Sequence, residues 1–139
     1  MSDLQRFVEA QDAHGTYEAA VAELRAGRKT SHWMWFVFPQ IAGLGRSSTA
    51  RRYAITSLDE ARAYLAHPVL GPRLRECHRL AAAAPARDAQ GLLGGIDAVK
   101  LQSSATLFDL VSEAPSEFTA VLDRFYAGRR DPETVRLTA

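Results

Sequence analysis

The chain has 139 residues, 47% of them hydrophobic and 24% charged, with a formal net charge of +1. This is the composition of an ordinary soluble domain able to bury roughly two thirds of its unfolded surface, and residues 1–139 read as one unit. So small a net charge excludes a wholesale nucleic-acid or membrane binder, while permitting a local charged patch.

A lone cysteine, Cys77, rules out an internal disulfide and fits a reducing cytoplasm. Met1-Ser2-Asp3 lacks the basic and apolar regions of a secretory leader. The longest strongly apolar run, Trp33–Phe38, falls far short of a bilayer span. The expectation is a soluble cytoplasmic protein.

Leu4, Phe7, Val8 and Gln11 are spaced as one face of a short helix, with Ser2 or Asp3 as its cap. Tyr17, Ala20, Val21 and Leu24 repeat the pattern; Gly15 breaks the chain before them and Gly27 stops it after. The aromatic stretch Ser31-His32-Trp33-Met34-Trp35-Phe36-Val37-Phe38-Pro39-Gln40 holds both tryptophans. Six apolar residues fit a buried strand or a short helix; the helical surroundings favour a helix, with Ser31 as cap and Pro39 as stop. Ser47 or Ser48 caps a helix through about Ile55.

Ser57-Leu58-Asp59-Glu60 has the form of a capping box, and its helix turns Leu58, Ala61 and Leu65 inward. Pro68 suits the first turn of the next helix, whose stripe is Leu70, Leu74, Cys77 and Ala81. Asp88 caps a single turn ending at Gly94-Gly95, and Asp97 caps a helix over Ala98–Val111. Beyond Pro115, Phe118, Val121, Leu122 and Phe125 form the clearest amphipathic stripe, closed by Gly128. Asp131-Pro132 opens a short last helix. Strand-type alternation is almost absent, so the fold class is all-α: one compact domain of short and medium helices. Trp33 or Trp35, Phe36, Phe108, Phe118 and Leu122 are expected to share its core.

Charge is segregated. From Leu24 to Leu58 there is no acidic residue, yet Arg25, Arg28, Lys29, Arg46, Arg51 and Arg52 all fall there. Such a segment suits an anionic partner or a solvated basic face. Within it, Gly43-Leu44-Gly45-Arg46-Ser47-Ser48 combines glycines that admit close backbone approach with hydroxyls, an arginine and a following helix N-terminus. It fits an oxyanion nest, or a glycine turn with a serine cap; it matches neither the Walker loop nor the dinucleotide fingerprint.

A second cluster sits on the helix after Asp97. Lys100, Ser103 and Ser104 share one face of its first turns, while Leu101, Ala105 and Phe108 share another. Polar groups on a mostly buried helix are paired or line a cavity. His32, in basic surroundings, is a candidate proton carrier or a hydrogen-bonded core histidine. Asp109, the one acid in the Leu107–Val111 run, needs a partner if buried, and an arginine of the basic segment would serve. The spacings of His14, His67 and His78 match no metal motif, so neither a metal nor a cofactor is expected. Cys77 lies on an apolar stripe and reads as core.

Leu4-Gln5-Arg6-Phe7, the whole stretch Ser31–Gln40 and Leu44-Gly45-Arg46-Ser47-Ser48 resemble a bacterial domain-of-unknown-function family, number eighteen-ten. So do Arg52-Tyr53-Ala54-Ile55, His67-Pro68-Val69-Leu70-Gly71, Lys100-Leu101-Gln102-Ser103-Ser104 and Thr106-Leu107-Phe108. The resemblance covers nearly the whole chain; Ala105 stands where members often have methionine. It implies a mainly helical single domain and no particular activity, and the calpastatin label sometimes attached to such proteins has no support in this sequence. A more distant similarity is to the helical superfamily that handles NAD and ADP-ribose derivatives, through the aromatic segment, the Leu-Gly-Arg element and a helical lysine. It assigns no catalytic residue here.

The residues support a pocket for a phosphate-bearing nucleotide or ADP-ribose-type compound. Trp33 or Trp35 would stack on a base; Gly45, Arg46, Ser47, Ser48, Lys100, Ser103 and Ser104 would hold the anion. His32 or Asp109 would move a proton. The competing reading is a non-enzymatic helical module that binds a protein partner. Neither sequence-specific nucleic-acid binding nor membrane association is expected.

Overall fold

Apolar side chains recurring every three or four residues wind into helices with little else between them. The computed structural model describes residues 3–139, in which ten α-helices and one 3₁₀ turn follow in order. They are α1 (Gln5–Asp12), α2 (Thr16–Ala26), α3 (Met34–Val37), α4 (Ser48–Arg52) and α5 (Leu58–Ala66). After them come α6 (Leu70–Ala82), α7 (Ala89–Leu93), α8 (Gly95–Asp109), α9 (Glu117–Tyr126) and α10 (Pro132–Thr138). The fold class is all-α, and the nearest approach to a sheet is one isolated parallel bridge between Ile41 and Ile55. Among these residues no helix is long and apolar enough to cross a membrane.

Half of the ten helix starts among the described residues carry a side-chain cap. Ser47, Asp88 and Asp131 each accept a backbone N–H in the first turn of their helix, and Ser116 forms a full capping box with Thr119. Ser57 accepts from Glu60 N–H at 3.1 Å, but the Glu60 carboxylate turns to Thr56 N–H at 2.9 Å. Helix α5 buries Ala61 and Tyr64 completely, while Leu58 and Leu65 are half-buried.

Other expected caps are replaced. Ser2 lies outside the described residues, and Leu4 stands at the cap of α1 with no side-chain bond. Ser31 does not cap α3, because its hydroxyl is drawn to Glu23. Asp97 is no cap either: α8 begins two residues earlier at Gly95, behind Gly94 in a positive-φ conformation (φ 91°). Helix α4 stops at Arg52 rather than Ile55, since Ile55 N–H bonds Gln40 O and Ile55 O accepts Ala42 N–H, both at 2.8 Å.

Helix α8 is the axle. From Leu101 to Asp109 every residue but Gln102 is buried, so the later turns of the helix are enclosed while its first turns are not. It packs on α9, α7, α10 and α5, while α6 packs on α9, α2 and α5.

The rings of the core form a nearly closed loop. Trp33 meets Phe38, Phe38 meets His78, His78 meets Phe118 and Phe118 meets Phe108. The series continues through Tyr64, Phe7 and Tyr53 and returns to Phe36, with successive centroids 4.6–6.0 Å apart throughout. Trp33, Phe108, Phe118 and Leu122 are buried as expected, whereas Phe36 is only half-buried at the edge of the core.

Candidate functional site

One carboxylate sets the aromatic segment in place. Glu23, near the end of α2, accepts from Thr30 N–H (2.7 Å), Ser31 N–H (2.9 Å) and the Trp33 indole N–H (3.0 Å), and from the Ser31 hydroxyl. Burial works against its charge, but the Ser31 hydroxyl, Thr30 N–H, Trp33 indole and Ser31 N–H outweigh that, and the pKa falls to about 2. Four donors on one side chain turn the bent stretch 30–33 inward, so that Trp33 enters the core and Trp35 remains half-buried at the surface.

Beside Trp35 lies a depression of about 390 Å³ between the aromatic segment and the start of α8. Lys29, His32, Trp35, Gly94, Asp97 and Lys100 are among its walls. Asp97 is shared by two cations, Lys29 Nζ at 2.9 Å and Lys100 Nζ at 3.1 Å. Two ammonium groups against one carboxylate leave a positive charge over. Lys100 also lies 4.4 Å from the Trp35 ring centroid, and Lys29 lies 5.4 Å from that of Trp33. Both lysines are thus held by an acid and a ring together, and the exposed imidazole of His32 stands at the rim.

A second depression, of about 430 Å³, adjoins the first, because Ile96 and Lys100 line both. Its further walls include Gln40, Leu44, Gly45, Val99, Ser103 and Asp131. The Ser103 hydroxyl donates to Asp131 Oδ2 at 2.9 Å, and Asp131 N–H donates to the Thr106 hydroxyl at 2.8 Å, pinning α10 to α8.

The residues singled out in the sequence part company here. Trp35, His32 and Lys100 meet at the first depression; Gly45, Lys100 and Ser103 meet at the second. Arg46, Ser47 and Ser48 are exposed and line neither. Gly45 has a packing reason of its own, since a Cβ there would stand 2.4 Å from that of Ala50. Ser104 points into the core with its hydroxyl unpartnered, and Trp33 is a core residue. Asp109 is buried and paired, but with Arg130 at 2.9 Å instead of an arginine of the basic segment. It also accepts from Thr119 at 2.7 Å, so it locks α8 to α9 and the chain beyond.

Sequence reasoning passed over Lys29, Gly94-Gly95, Asp97 and Gln40 as site residues. The signal for Asp97 and Lys29 was available: an acid three residues before a helical lysine, opposite an acid-free basic stretch. No group of three or more His, Cys, Asp or Glu among the described residues is placed to hold a metal.

Among solved structures, the chain is similar to the conserved hypothetical protein Rv1873 from Mycobacterium tuberculosis. The identity is 51%, 98% of this chain and 96% of that one are covered, and the TM-score is 0.93. No curated protein matches. Residues 1–138 match the model of the family described as "Protein of unknown function (DUF1810)", and the chain belongs to that family.

Proposed function

We propose that this protein binds a small phosphate-bearing molecule, of the nucleotide or ADP-ribose type, in the depression where the aromatic segment meets the start of α8. The observation that carries this is the sharing of one carboxylate, Asp97, by Lys29 and Lys100 beside a half-buried indole. An arriving phosphate meets an uncompensated cation, and the first N–H groups of a fifteen-residue helix add their dipole on the same side. Trp35 offers an apolar flank for the rest of the ligand. Lys100 keeps the anion-holding part expected of it, Lys29 takes that expected of Arg46, and His32 is the side chain at the rim placed to act as proton carrier. A reducing cytoplasm suits Cys77, whose thiol is buried and pushed up to about 12, chiefly by that burial.

The test is thermal melting and calorimetry with ADP-ribose and AMP, on the wild type, Lys100→Met and Arg46→Ala. The wild type should be stabilised, Lys100→Met should lose most of the shift, and Arg46→Ala should keep it. No binding by the wild type would sink the proposal.

One observation favours a second reading, a helical module for a protein partner: Ile96 and Val99 on α8 are 78% and 62% exposed. Absence of any ligand-induced stabilisation, together with a partner footprint on those two residues, would select it.

A further inference from the structure

The two depressions carry opposite electrostatics on either side of one lysine. In the first, Lys29 and Lys100 outnumber Asp97. In the second, the acids are Asp131 and Glu133, and Glu133 is matched by Arg136, which bonds it through two nitrogens at 2.6 and 2.7 Å. Asp131 has no cation within ion-pair distance among the described residues. Its Oδ2 accepts from Ser103, Thr134 N–H and the Thr134 hydroxyl, while Oδ1 accepts from no described residue. An anionic group is therefore drawn to the first depression and repelled from the second.

The second depression wants something else. Leu44, Ile96 and Val99 give it apolar walls, and the last two are the most exposed large apolar side chains of the described residues. The free acceptor of Asp131 and the amide of Gln40 give it a polar edge. A flat group with apolar faces and a hydrogen-bond donor at its rim meets both demands. Because Ile96 and Lys100 belong to both depressions, one molecule can span them.

We infer that the site is bipartite: the first depression takes the phosphate of a nucleotide, and the second takes an amino-bearing nucleobase whose donor faces Asp131. This rests on the phosphate reading above and adds the polarity and orientation of the ligand. It makes Lys100 the divide between head and base. The base buries the exposed faces of Ile96 and Val99, which a phosphate alone leaves in water.

Calorimetry on the full chain with four probes decides it: inorganic phosphate, ribose 5-phosphate, AMP, and purine riboside 5′-monophosphate, which lacks the amino group. AMP should bind at least tenfold more tightly than ribose 5-phosphate, and removing the amino group should cost roughly fivefold, about 1 kcal/mol. Val99→Glu, a change at an exposed position, should cut the AMP-to-ribose-phosphate ratio to threefold or less. Equal affinity for AMP and ribose 5-phosphate, or a ratio unchanged in Val99→Glu, would overturn the bipartite site and leave the phosphate reading standing. Failure of all four probes would overturn both.

Discussion

The ammonium of Lys100 stands 4.4 Å from the centroid of the Trp35 indole, while its charge is shared with Asp97 at 3.1 Å. The acid and the ring hold the same ammonium head, so a half-buried lysine is kept in one place without being fully desolvated. Lys100→Ala should uncover Trp35 with little loss of stability, about 1 kcal/mol or less. Acrylamide quenching checks this: Trp33 is 1% exposed and contributes little, so a rise in quenching reports Trp35. Unchanged quenching would mean that the lysine does not cover the ring.

The pH dependence of stability should carry the signature of His78. Its Nδ1 lies 2.9 Å from Leu74 O, and since a carbonyl only accepts, Nδ1 holds the proton and Nε2 is left bare and unpartnered. Burial lowers the pKa from 6.5 to about 4, against the smaller opposing effects of the Leu74 bond and Glu117. The folded state thus binds fewer protons than the unfolded one between those values. Stability is full above pH 6.5 and falls as the pH drops towards 4, by on the order of 3 kcal/mol for this group. Glu23, lowered from 4.5 to about 2, adds a second loss in the window below. In chemical denaturation, His78→Phe should flatten the upper window and leave the lower one; an unchanged slope between pH 6.5 and 4 would refute the assignment.

Arg124 closes the end of α6. Its guanidinium donates to four carbonyls, Ala81 (3.1 Å), Ala82 (2.8 Å), Ala84 (2.7 Å) and Ala86 (2.7 Å). Ala81 O and Ala84 O each also accept one backbone N–H, from Ala84 (3.3 Å) and Ala86 (2.8 Å), so the guanidinium ties the helix end to the turn after it, and the cation also suits the helix dipole. Arg124→Ala should cost about 2 kcal/mol. Arg124→Lys should recover less than half of it, because an ammonium cannot reproduce the planar fork. Equal stability of the lysine variant and wild type in urea would show that charge alone matters.

Two glycines should respond unequally, according to the space around them. A Cβ on Gly71 would stand 2.1 Å from Leu65 O, where α5 hands over to α6. Backbone cannot yield as a side chain can, so Gly71→Ala should cost upwards of about 2 kcal/mol. Gly15, at φ +66° with nothing within 4 Å, should lose only about 1 kcal/mol as alanine, from conformation alone. Similar melting temperatures for the two variants would contradict the packing argument.

The fold was legible because its stripes and stops are local. Leu70, Leu74, Cys77 and Ala81 all go inward as their spacing demands, and Ser47, Asp88 and Asp131 hold the first turns they precede. Helix starts set by tertiary demands were not legible. Ser31 is taken by Glu23, and Asp97 by two lysines, so neither serves its own helix. The candidate site was half legible. His32, Trp35, Lys100 and Ser103 reach the two depressions, but the Arg46-Ser47-Ser48 cluster stands apart. A glycine-serine loop looks the same in sequence whether it faces a ligand or, as at Gly45, makes room for Ala50. Asp109 shows the same limit, since nothing local distinguishes Arg130 from six arginines and lysines nearer the N-terminus.

The loop of rings begins at Trp33 and ends at Phe36, so the segment that displays Trp35 is anchored to the core on both sides of it. Glu23 adds a third tether from α2. A surface indole on such a mount has few orientations to give up when the head of a ligand settles beside it. Little of the contact energy is then lost to ordering, and affinity reflects the fit of the ligand more than the adjustment of the protein. The same rigidity limits the range of shapes that can be accommodated, which favours selectivity over breadth.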